Sequence, residues 1–346
     1  MTGLLKAVTM LAIAFEVLSS GRNITTAATV RLNRIPETAE IVYHQDGAIY
    51  VMDRDGRNET RITFGEPRQW EHAAVSPDRR FIAANEQLPN PRGEPGGRSR
   101  LWILDLERGT EARLLRRFVT AGNGGVDWDH DGFIYVAAKA GDPVPHPVTL
   151  ADFIANAGAN DIYKVRFDGR ARHRLTNTPT RGEADVSVSD DGTLVTFMDE
   201  LINPPNNLTE IWVTRTDGSD PRLVLTAGAP RIASVHDPEL SPDNRYVIFS
   251  RVNSTVPPNF PHIPYANTAH DTYSVGLDGS GLSRVTEPGP ISIGPDWRDD
   301  LIVYMEMSET YRFAGAALIG TNGAQPRRFK PGAQFPKWIP RRAIIR

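Results

Sequence analysis

A two-part phrase recurs along this chain at intervals of roughly 45 to 60 residues. Its first part is an apolar run, a turn rich in Asp and Gly, and a second run that ends in Arg-Leu-Thr or a close variant. Six copies of this part are present, and their apolar runs begin at Ile49, Leu101, Ile162, Ile211, Tyr273 and Ala317. Self-similarity with this period indicates an array of small units that bury their apolar faces only against one another.

The second part of the phrase is a turn of the Ser-Pro-Asp type followed by another apolar run. Its six copies begin at Ser76, Asp129, Ser189, Ser241, Trp297 and Trp338. Asp-Gly between apolar runs favours a hairpin because its central residues take positive φ, and proline presets φ in the other turn. Each unit should therefore contain four short antiparallel strands, A to D. Such units repeated around an axis form propeller blades, so the sequence predicts an all-β, six-bladed β-propeller.

Composition narrows the classes of partner. The 346 residues carry a net charge of −3, so no cationic surface for nucleic acid is expected. There is no cysteine, which excludes disulfides, zinc-thiolate sites and a cysteine nucleophile. Beyond the N-terminus no apolar segment approaches the length of a membrane span. We expect a monomer that is not inserted in a membrane.

The N-terminal residues have the pattern of an export signal. Lys6 precedes an apolar run over 7–15, and small residues follow at 19–21. The expected division is a signal peptide or flexible arm over 1–21, a linker over 22–39 and a single propeller domain over 40–346. Asn-x-Ser/Thr sequons that suit a secreted glycoprotein begin at Asn23, Asn58, Asn207 and Asn253. The expected location is secreted or periplasmic.

The two phrases resemble those of the TolB-type propellers, which are built from WD40-like repeats, across roughly residues 40–346. The resemblance implies the same six-bladed fold. TolB carries a separate N-terminal domain, and about forty residues precede the first strand here, so TolB's full set of partners is not implied. The chain opens with a B-like strand at Ile41 and ends with an A–B hairpin around Trp338, which together would complete a blade. Either 41–44 or 343–346 would supply its B strand.

One face of the propeller is expected to carry the function. The A–B and C–D turns are minimal, whereas four B–C loops are long, at 85–100, 139–161, 199–210 and 251–272. Long loops without repeat character in a compact domain are commonly functional. The side chains in them that we expect to contact a substrate are Phe153, Phe260, His262 and Tyr265.

The first residues of each A strand open onto this face around the central channel. Four residues before each turn of the Ser-Pro-Asp type stand His72, Gly125, Asp185, Asp237 and Gly294. Just before these positions lie Trp70, Glu71, Glu183 and His236. We predict that His72, His236, Asp185 and Asp237 are catalytic. Trp70, Glu71 and Glu183 are predicted to bind substrate.

Three interpretations of this cluster stay open. The polar side chains bind a divalent metal, supply a general acid and base, or only satisfy backbone groups where strand A begins. The stretch from His72 to Asp78 resembles the His-x-x-x-Ser-Pro pattern of oligogalacturonate lyases, propeller enzymes with seven blades that hold manganese at this mouth. The similarity carries a functional role over to His72 alone. No metal is assigned, and the candidate ligands would be His72, His236 and Asp237.

Two functions of different class follow. The first is an exported enzyme that acts on a small organic or glycan substrate by lyase, isomerase or cyclase chemistry without a covalent nucleophile. The sequence lacks a Gly-x-Ser-x-Gly elbow, a His-Glu-x-x-His motif, a P-loop and a Rossmann glycine pattern. The second is a non-catalytic propeller that binds a protein or glycan on the same face. A deep pocket closed by 139–161 and 251–272 would favour the enzyme, and a broad, flat mouth would favour the binding protein.

Overall fold

The fold was described from a computed structural model. It describes residues 28–65, 68–88, 98–116, 118–121, 125–140, 160–178, 181–201, 208–227, 234–253, 269–286, 291–307, 313–321 and 326–343. These ranges are all-β and contain 26 strands. Across them no helix has the length and hydropathy needed to cross a membrane.

The first half of the chain supplies strands β1 to β13. In chain order they are β1 (Ala28–Thr29), β2 (Ile41–Gln45), β3 (Ala48–Met52), β4 (Thr60–Arg61), β5 (Trp70–Val75), β6 (Phe81–Gln87), β7 (Arg98–Asp105), β8 (Thr110–Arg113), β9 (Phe118–Ala121), β10 (Val126–Trp128), β11 (Phe133–Ala140), β12 (Asp161–Arg166) and β13 (Arg172–Arg174). From the inner to the outer strand, blade 2 is β5-β6-β7-β8 and blade 3 is β10-β11-β12-β13.

The second half supplies β14 (Arg181–Val188), β15 (Leu194–Leu201), β16 (Leu208–Arg215), β17 (Arg222–Thr226), β18 (Val235–Leu240), β19 (Tyr246–Asn253), β20 (Ala269–Gly276), β21 (Ser283–Arg284), β22 (Ile291–Arg298), β23 (Leu301–Met307), β24 (Phe313–Gly320), β25 (Arg327–Lys330) and β26 (Gln334–Trp338). Blades 4, 5 and 6 are β14 to β17, β18 to β21 and β22 to β25. Blade 1 is β26-β2-β3-β4, so the described residues form six blades and the predicted fold is confirmed.

The ring closes within blade 1, where the C-terminal strand β26 pairs antiparallel with β2. Ile41 lies opposite Trp338, and the backbone amide of Ile339 donates to the carbonyl of Glu40 at 2.7 Å. The B strand of this blade is therefore formed by 41–45, which settles the question left open by the sequence. The inner strands contact one another in cyclic order, from β5 through β10, β14, β18, β22 and β26 back to β5.

Two short strands lie outside the regular blades. β9 pairs with both β7 and β11, which joins blades 2 and 3 into one ten-stranded sheet. β1 pairs with β8 and so covers the outer edge of blade 2, where unpaired backbone groups would otherwise be exposed. The sequence repeat predicts neither strand, because both lie in segments outside the repeated phrase.

The hydrophobic core consists of clusters between neighbouring blades. On β2, Ile41 and Tyr43 pack between blades 6 and 1, whereas Val42 packs between blades 1 and 2. On β6, Phe81 and Ala83 face blade 3, and Ile82 faces blade 1. Successive side chains of a strand point to opposite faces, so a strand buried on both faces is apolar throughout. The six buried clusters described here explain why the repeated runs are continuously apolar.

The turn residues act through their side chains more than the sequence suggested. In the A–B turn of blade 5, the Ser241 hydroxyl accepts the backbone amide of Tyr246 at 3.0 Å and donates to Asp243 at 2.7 Å. In the C–D turn of blade 3 only Gly169 has positive φ, while Asp168 accepts the amide of Arg170 at 3.0 Å. Serine and aspartate therefore organise these turns, and the left-handed residue is Asn244 in the first turn and Gly169 in the second.

Candidate functional site

A β-bulge interrupts the inner strand of five blades at the same height along the axis. The pairing of strands A and B shifts register between Glu71 and Ala74 in blade 2, and between Ala184 and Ser187 in blade 4. The bulged residues have left-handed backbone, with φ values of 45° for His72, 51° for Asp185, 50° for Asp237, 60° for Gly294 and 44° for Phe335. Gly125 occupies the corresponding position of blade 3. These six residues are called the ring positions.

The ring positions surround a cavity of about 70 Å³ on the propeller axis, lined by residues from the inner strands of all six blades. The end of β6 pairs with the start of β5, as Glu86 lies opposite Trp70. The B–C connections therefore leave from the face on which the A strands begin, as the sequence predicted. His72, Asp185 and Asp237 all line this cavity, so the structure brings three of the four predicted catalytic residues together. Their catalytic role stays a prediction.

Asp185 and Asp237 form an asymmetric pair at the mouth of the cavity. Asp185 Oδ2 accepts the backbone amide of Asp237 at 3.3 Å, whereas Asp185 Oδ1 is buried without a hydrogen-bond partner. Burial, followed by the charge of Asp237, raises the pKa of Asp185 well above its usual range. Asp237 Oδ2 accepts the hydroxyl of Ser250 at 3.0 Å and the amide of Gly294 at 3.2 Å. Burial therefore favours the neutral form of the Asp185 carboxyl group.

His72 faces the same cavity and is neutral at pH 7. Burial lowers the pKa of His72 to about 4, although the charge of Asp237 opposes the shift and Lys337 reinforces it. The imidazole lies against Phe335, with ring centroids 4.4 Å apart. A neutral imidazole has one nitrogen free to accept a proton. The same cavity is thus lined by a neutral imidazole and by a carboxyl group whose neutral form burial favours.

A second layer of polar side chains stands two residues after the ring positions along the inner strands, and it is called the lower level. Lys337 Nζ is 3.2 Å from Asp127 Oδ2 and 3.9 Å from Glu239 Oε2. The hydroxyl of Ser187 donates to Glu239 at 2.6 Å. Burial raises the pKa of Asp296 to about 6 and that of Glu239 well above its usual range, and Lys337 opposes both shifts. One ammonium thus serves several buried carboxyl groups, and burial favours the neutral forms of Asp296 and Glu239.

The other predicted site residues do not line the cavity. His236 Nε2 lies 3.0 Å from Ser234 Oγ, its ring is 5.9 Å from that of His270, and burial lowers the pKa of His236 to about 4. Trp70 is buried in the core between blades 1 and 2. Phe153, Phe260, His262 and Tyr265 lie outside the described residues.

The two predicted substrate-binding glutamates also point elsewhere. Glu183 accepts the amide of Ile162 at 2.9 Å and the hydroxyl of Thr178 at 2.7 Å, which fixes blade 3 to blade 4. Burial raises the pKa of Glu183 to about 7. Glu71 is held between blade strands with Oε2 buried and without a partner, and burial raises the pKa of Glu71 to about 7 as well. Packing holds Trp70 and hydrogen bonds hold Glu183, and the role of both in substrate binding stays a prediction.

Several cavity residues escaped the sequence alignment although a signal was available. Phe335 stands four residues before Ile339, which aligns with the serine of the Ser-Pro-Asp turns. The lower level follows from the alternation of side chains along a strand, since each member stands two residues after a ring position. These members are Asp127, Ser187, Glu239, Asp296 and Lys337.

The candidate metal ligands do not form one coordination group. His72 and Asp237 line the cavity, whereas His236 is bonded to Ser234 outside it. Across the described residues no group of three or more His, Asp or Glu side chains is placed to hold a metal ion. The residues present there do not fit the proposed ligand set.

No protein-family model and no curated protein matches this sequence. TolB from Acinetobacter baumannii is similar in structure, with a TM-score of 0.57 and 14% identity over 88% of this chain and 66% of that chain. The fold is that of a TolB-type propeller. A protein of a nidogen/laminin complex aligns with a TM-score of 0.59 and 10% identity, over 88% of this chain and 100% of that one. An oligogalacturonate lyase in complex with manganese aligns with a TM-score of 0.53 and 13% identity, over 90% of this chain and 86% of that one. These identities establish the fold alone.

Proposed function

We propose that the mouth of the central cavity is the site of an acid–base enzyme of the lyase or isomerase type. The observation that supports this most is that one cavity is lined by His72, whose pKa burial lowers to about 4, and by Asp185, whose pKa burial raises well above its usual range. Pairs of titratable groups whose surroundings push their pKa values apart mark the base and the acid of a proton-transfer site. The cyclase version would need the apolar side chains of the loops 139–161 and 251–272, of which 141–159 and 254–268 lie outside the described residues.

The chemistry assigned to each residue is proton transfer. In an elimination, the neutral imidazole of His72 takes a proton from carbon, and the C–H electron pair becomes the new double bond. As that double bond forms, the bond to the leaving group breaks, its electron pair leaves with that group, and the group takes the carboxyl proton of Asp185. In an isomerisation, the proton returns to a different carbon of the same substrate. Ser250 and the amide of Gly294 hold Asp237 in place beside the reacting groups.

A second function draws support from the size of the cavity. About 70 Å³ is far below the roughly 300–1,000 Å³ of an ordinary small-molecule pocket, so the body of any substrate would lie outside it. A protein or glycan that covers the mouth and inserts one group is the alternative. The propeller of the nidogen/laminin complex has a similar fold and belongs to a protein assembly.

Deuterium uptake separates the two functions. Small molecules that raise the thermal midpoint of the protein are incubated with it in D2O and followed by mass spectrometry. An acid–base enzyme will exchange a carbon-bound proton of a binding compound or convert the compound, whereas a binding protein will leave it unchanged. His72→Asn retains a residue type that adopts left-handed backbone and should slow exchange by about 100-fold or more. Asp55→Asn, on the surface, should behave as wild type. No exchange in any binding compound, or full activity of H72N, would refute the enzyme.

We also propose that the protein acts outside the cytoplasm. The support is the signal-like pattern over 1–21 together with the TolB-type fold. Fractionation of the producing cells, followed by mass determination of the N-terminus, tests the proposal. Intact protein confined to the cytoplasmic fraction would contradict it.

A further inference from the structure

The lining of the central cavity is strongly biased towards carboxyl groups. Asp185, Asp237, Glu239 and Asp296 line it, and Lys337 is the one ammonium among its described lining residues. We propose that this cavity binds the protonated amine of its ligand, so that the substrate class is a small organic cation. The inference rests on the proposed function because it names the substrate of the same site.

The charge of Lys337 is already used at the lower level. Its ammonium lies within 3.2 Å of Asp127 and 3.9 Å of Glu239, beneath the ring positions. At the mouth, no lysine or arginine of the described residues forms an ion pair with Asp185 or Asp237. A carboxylate held in a low-dielectric cavity is costly unless a cation accompanies it. The mouth therefore lacks the positive charge that the lower level has.

Asp185 provides an independent sign that a ligand belongs here. Its side chain is 6% exposed and lines the cavity, yet Oδ1 has no hydrogen-bond partner. Buried polar atoms are almost always hydrogen-bonded, so an unpaired one calls for a group that the chain does not supply. An ammonium brings three N–H donors and no acceptor. It would satisfy Asp185 Oδ1 and Asp237 with one group.

The remaining walls of the mouth suit a cation. Phe335 occupies a ring position and lies against His72, with ring centroids 4.4 Å apart. The face of an aromatic ring attracts a cation placed above it. His72 is neutral at pH 7 because burial lowers its pKa to about 4, so it does not repel an ammonium. A carboxylate or uronate group would instead meet the carboxyl groups of the lining.

The cavity is large enough for the charged head group of a ligand but not for a whole drug-sized molecule. About 10–15 Å³ of such cavity volume holds one water molecule, so the cavity of about 70 Å³ has room for a group the size of a few waters, such as an ammonium on a short stem. The bound charge would also assist the chemistry. A cation beside Asp185 favours its ionised form and brings its raised pKa down towards the working pH, where a general acid is most effective.

Three compounds of similar shape and different charge test the inference. Benzylammonium, benzyl alcohol and benzoate are titrated into the full chain at pH 7 by calorimetry. Benzylammonium should bind at least about tenfold more tightly than benzyl alcohol, because hydrogen bonds to charged groups are the stronger ones, and benzoate should bind most weakly. Asp237→Asn keeps the shape of the side chain and suits left-handed backbone. This variant should reduce the preference for benzylammonium over benzyl alcohol to about threefold or less. Asp55→Asn is the matched control on the surface and should retain the wild-type preference.

Each outcome has a distinct meaning. Equal or tighter binding of benzyl alcohol or benzoate to the wild type, or an unchanged preference in D237N, would overturn the inference. Displacement of benzylammonium by stoichiometric calcium chloride would overturn it in favour of a metal site. If the protein prefers benzylammonium but no binding compound exchanges deuterium, only the proposed enzyme is refuted. If only neutral or acidic compounds exchange deuterium, only the proposed binding of an amine is refuted.

Discussion

Replacing Lys337 with methionine removes the one ammonium described among the buried carboxyl groups of the lower level. Its Nζ lies 3.2 Å from Asp127 and 3.9 Å from Glu239. At an effective dielectric constant of about 20, these two attractions amount to roughly 5 and 4 kcal/mol before desolvation. Desolvation offsets most of this sum, and removing one member of a buried pair typically costs about 3–5 kcal/mol. We expect K337M to lose about 3 kcal/mol of unfolding free energy at pH 7.

The size of this loss should depend on pH. Burial raises the pKa of Asp296 to about 6 and that of Glu239 well above its usual range, so a fall from pH 7 to pH 5 carries Asp296 into its neutral form. Lys337 then has fewer charges to balance, and its removal leaves fewer carboxylates unpaired. The loss should shrink to about 1–2 kcal/mol at pH 5.

Urea unfolding at both pH values, followed by tryptophan fluorescence, measures the effect. The double variant K337M/E239Q removes one unpaired carboxyl group while a glutamine oxygen still accepts the Ser187 hydroxyl, so it should recover part of the loss. Asp55→Asn again serves as the surface control. A loss below about 1 kcal/mol at pH 7, or one that is equal at both pH values, would show that the cluster does not hold the inner strands together as argued.

Three further predictions concern the blades. Ser241→Ala removes the acceptor for two turn amides and should cost about 1–2 kcal/mol in urea unfolding, and an unchanged midpoint would contradict the turn analysis. Burial raises the pKa of Glu183 from 4.5 to about 7, so wild-type stability falls as the pH rises through that window. The stability of Glu183→Gln relative to wild type should therefore increase by about 2–3 kcal/mol from pH 4.5 to 7.5, and parallel pH profiles would refute this. A Cβ at Gly315 would overlap the carbonyl of Lys330 at a φ of 122°, so Gly315→Ala should cost about 3 kcal/mol or more, and soluble, wild-type-like G315A would contradict it.

The repeat predicted the fold because the local sequence of each blade specifies the strands and turns of that blade. The threonines at the end of the repeated phrase also have a role that the pattern alone did not reveal. The hydroxyls of Thr63, Thr176 and Thr286 accept the amides of Ile49, Ile162 and Thr272, where strand C begins, at 2.8 to 3.0 Å. The repeat did not predict the extra strands β1 and β9, since both lie outside the repeated phrase and are paired by tertiary contacts.

The site was predictable only as far as the alignment located the bulge. Counting back four residues from each turn identified His72, Asp185 and Asp237, which do share a cavity. The same count did not show what holds the residues that stand two positions before the ring positions. Glu183 and Trp70 were therefore assigned to the mouth, although Glu183 is held by hydrogen bonds and Trp70 is packed in the core.

The left-handed backbone is an alternative explanation for the polar residues at the ring positions. One substitution distinguishes this explanation from a catalytic role. Left-handed positions favour Gly, Asn, Asp and His regardless of function, so φ values near 50° by themselves account for His72, Asp185 and Asp237. The φ values do not explain why position 185 has an aspartate rather than an asparagine. Burial and the charge of Asp237 raise the pKa of Asp185, and an asparagine would avoid that cost. A raised carboxyl pKa lowers stability above the unfolded pKa, so Asp185→Asn should stabilise the protein by about 1 kcal/mol or more at pH 8, and less at pH 4. The same variant should abolish proton transfer, as expected when an active site sacrifices stability for chemistry. If D185N instead lowers the unfolding free energy at pH 8, Asp185 is a structural residue and the acid of the proposed reaction must be sought elsewhere.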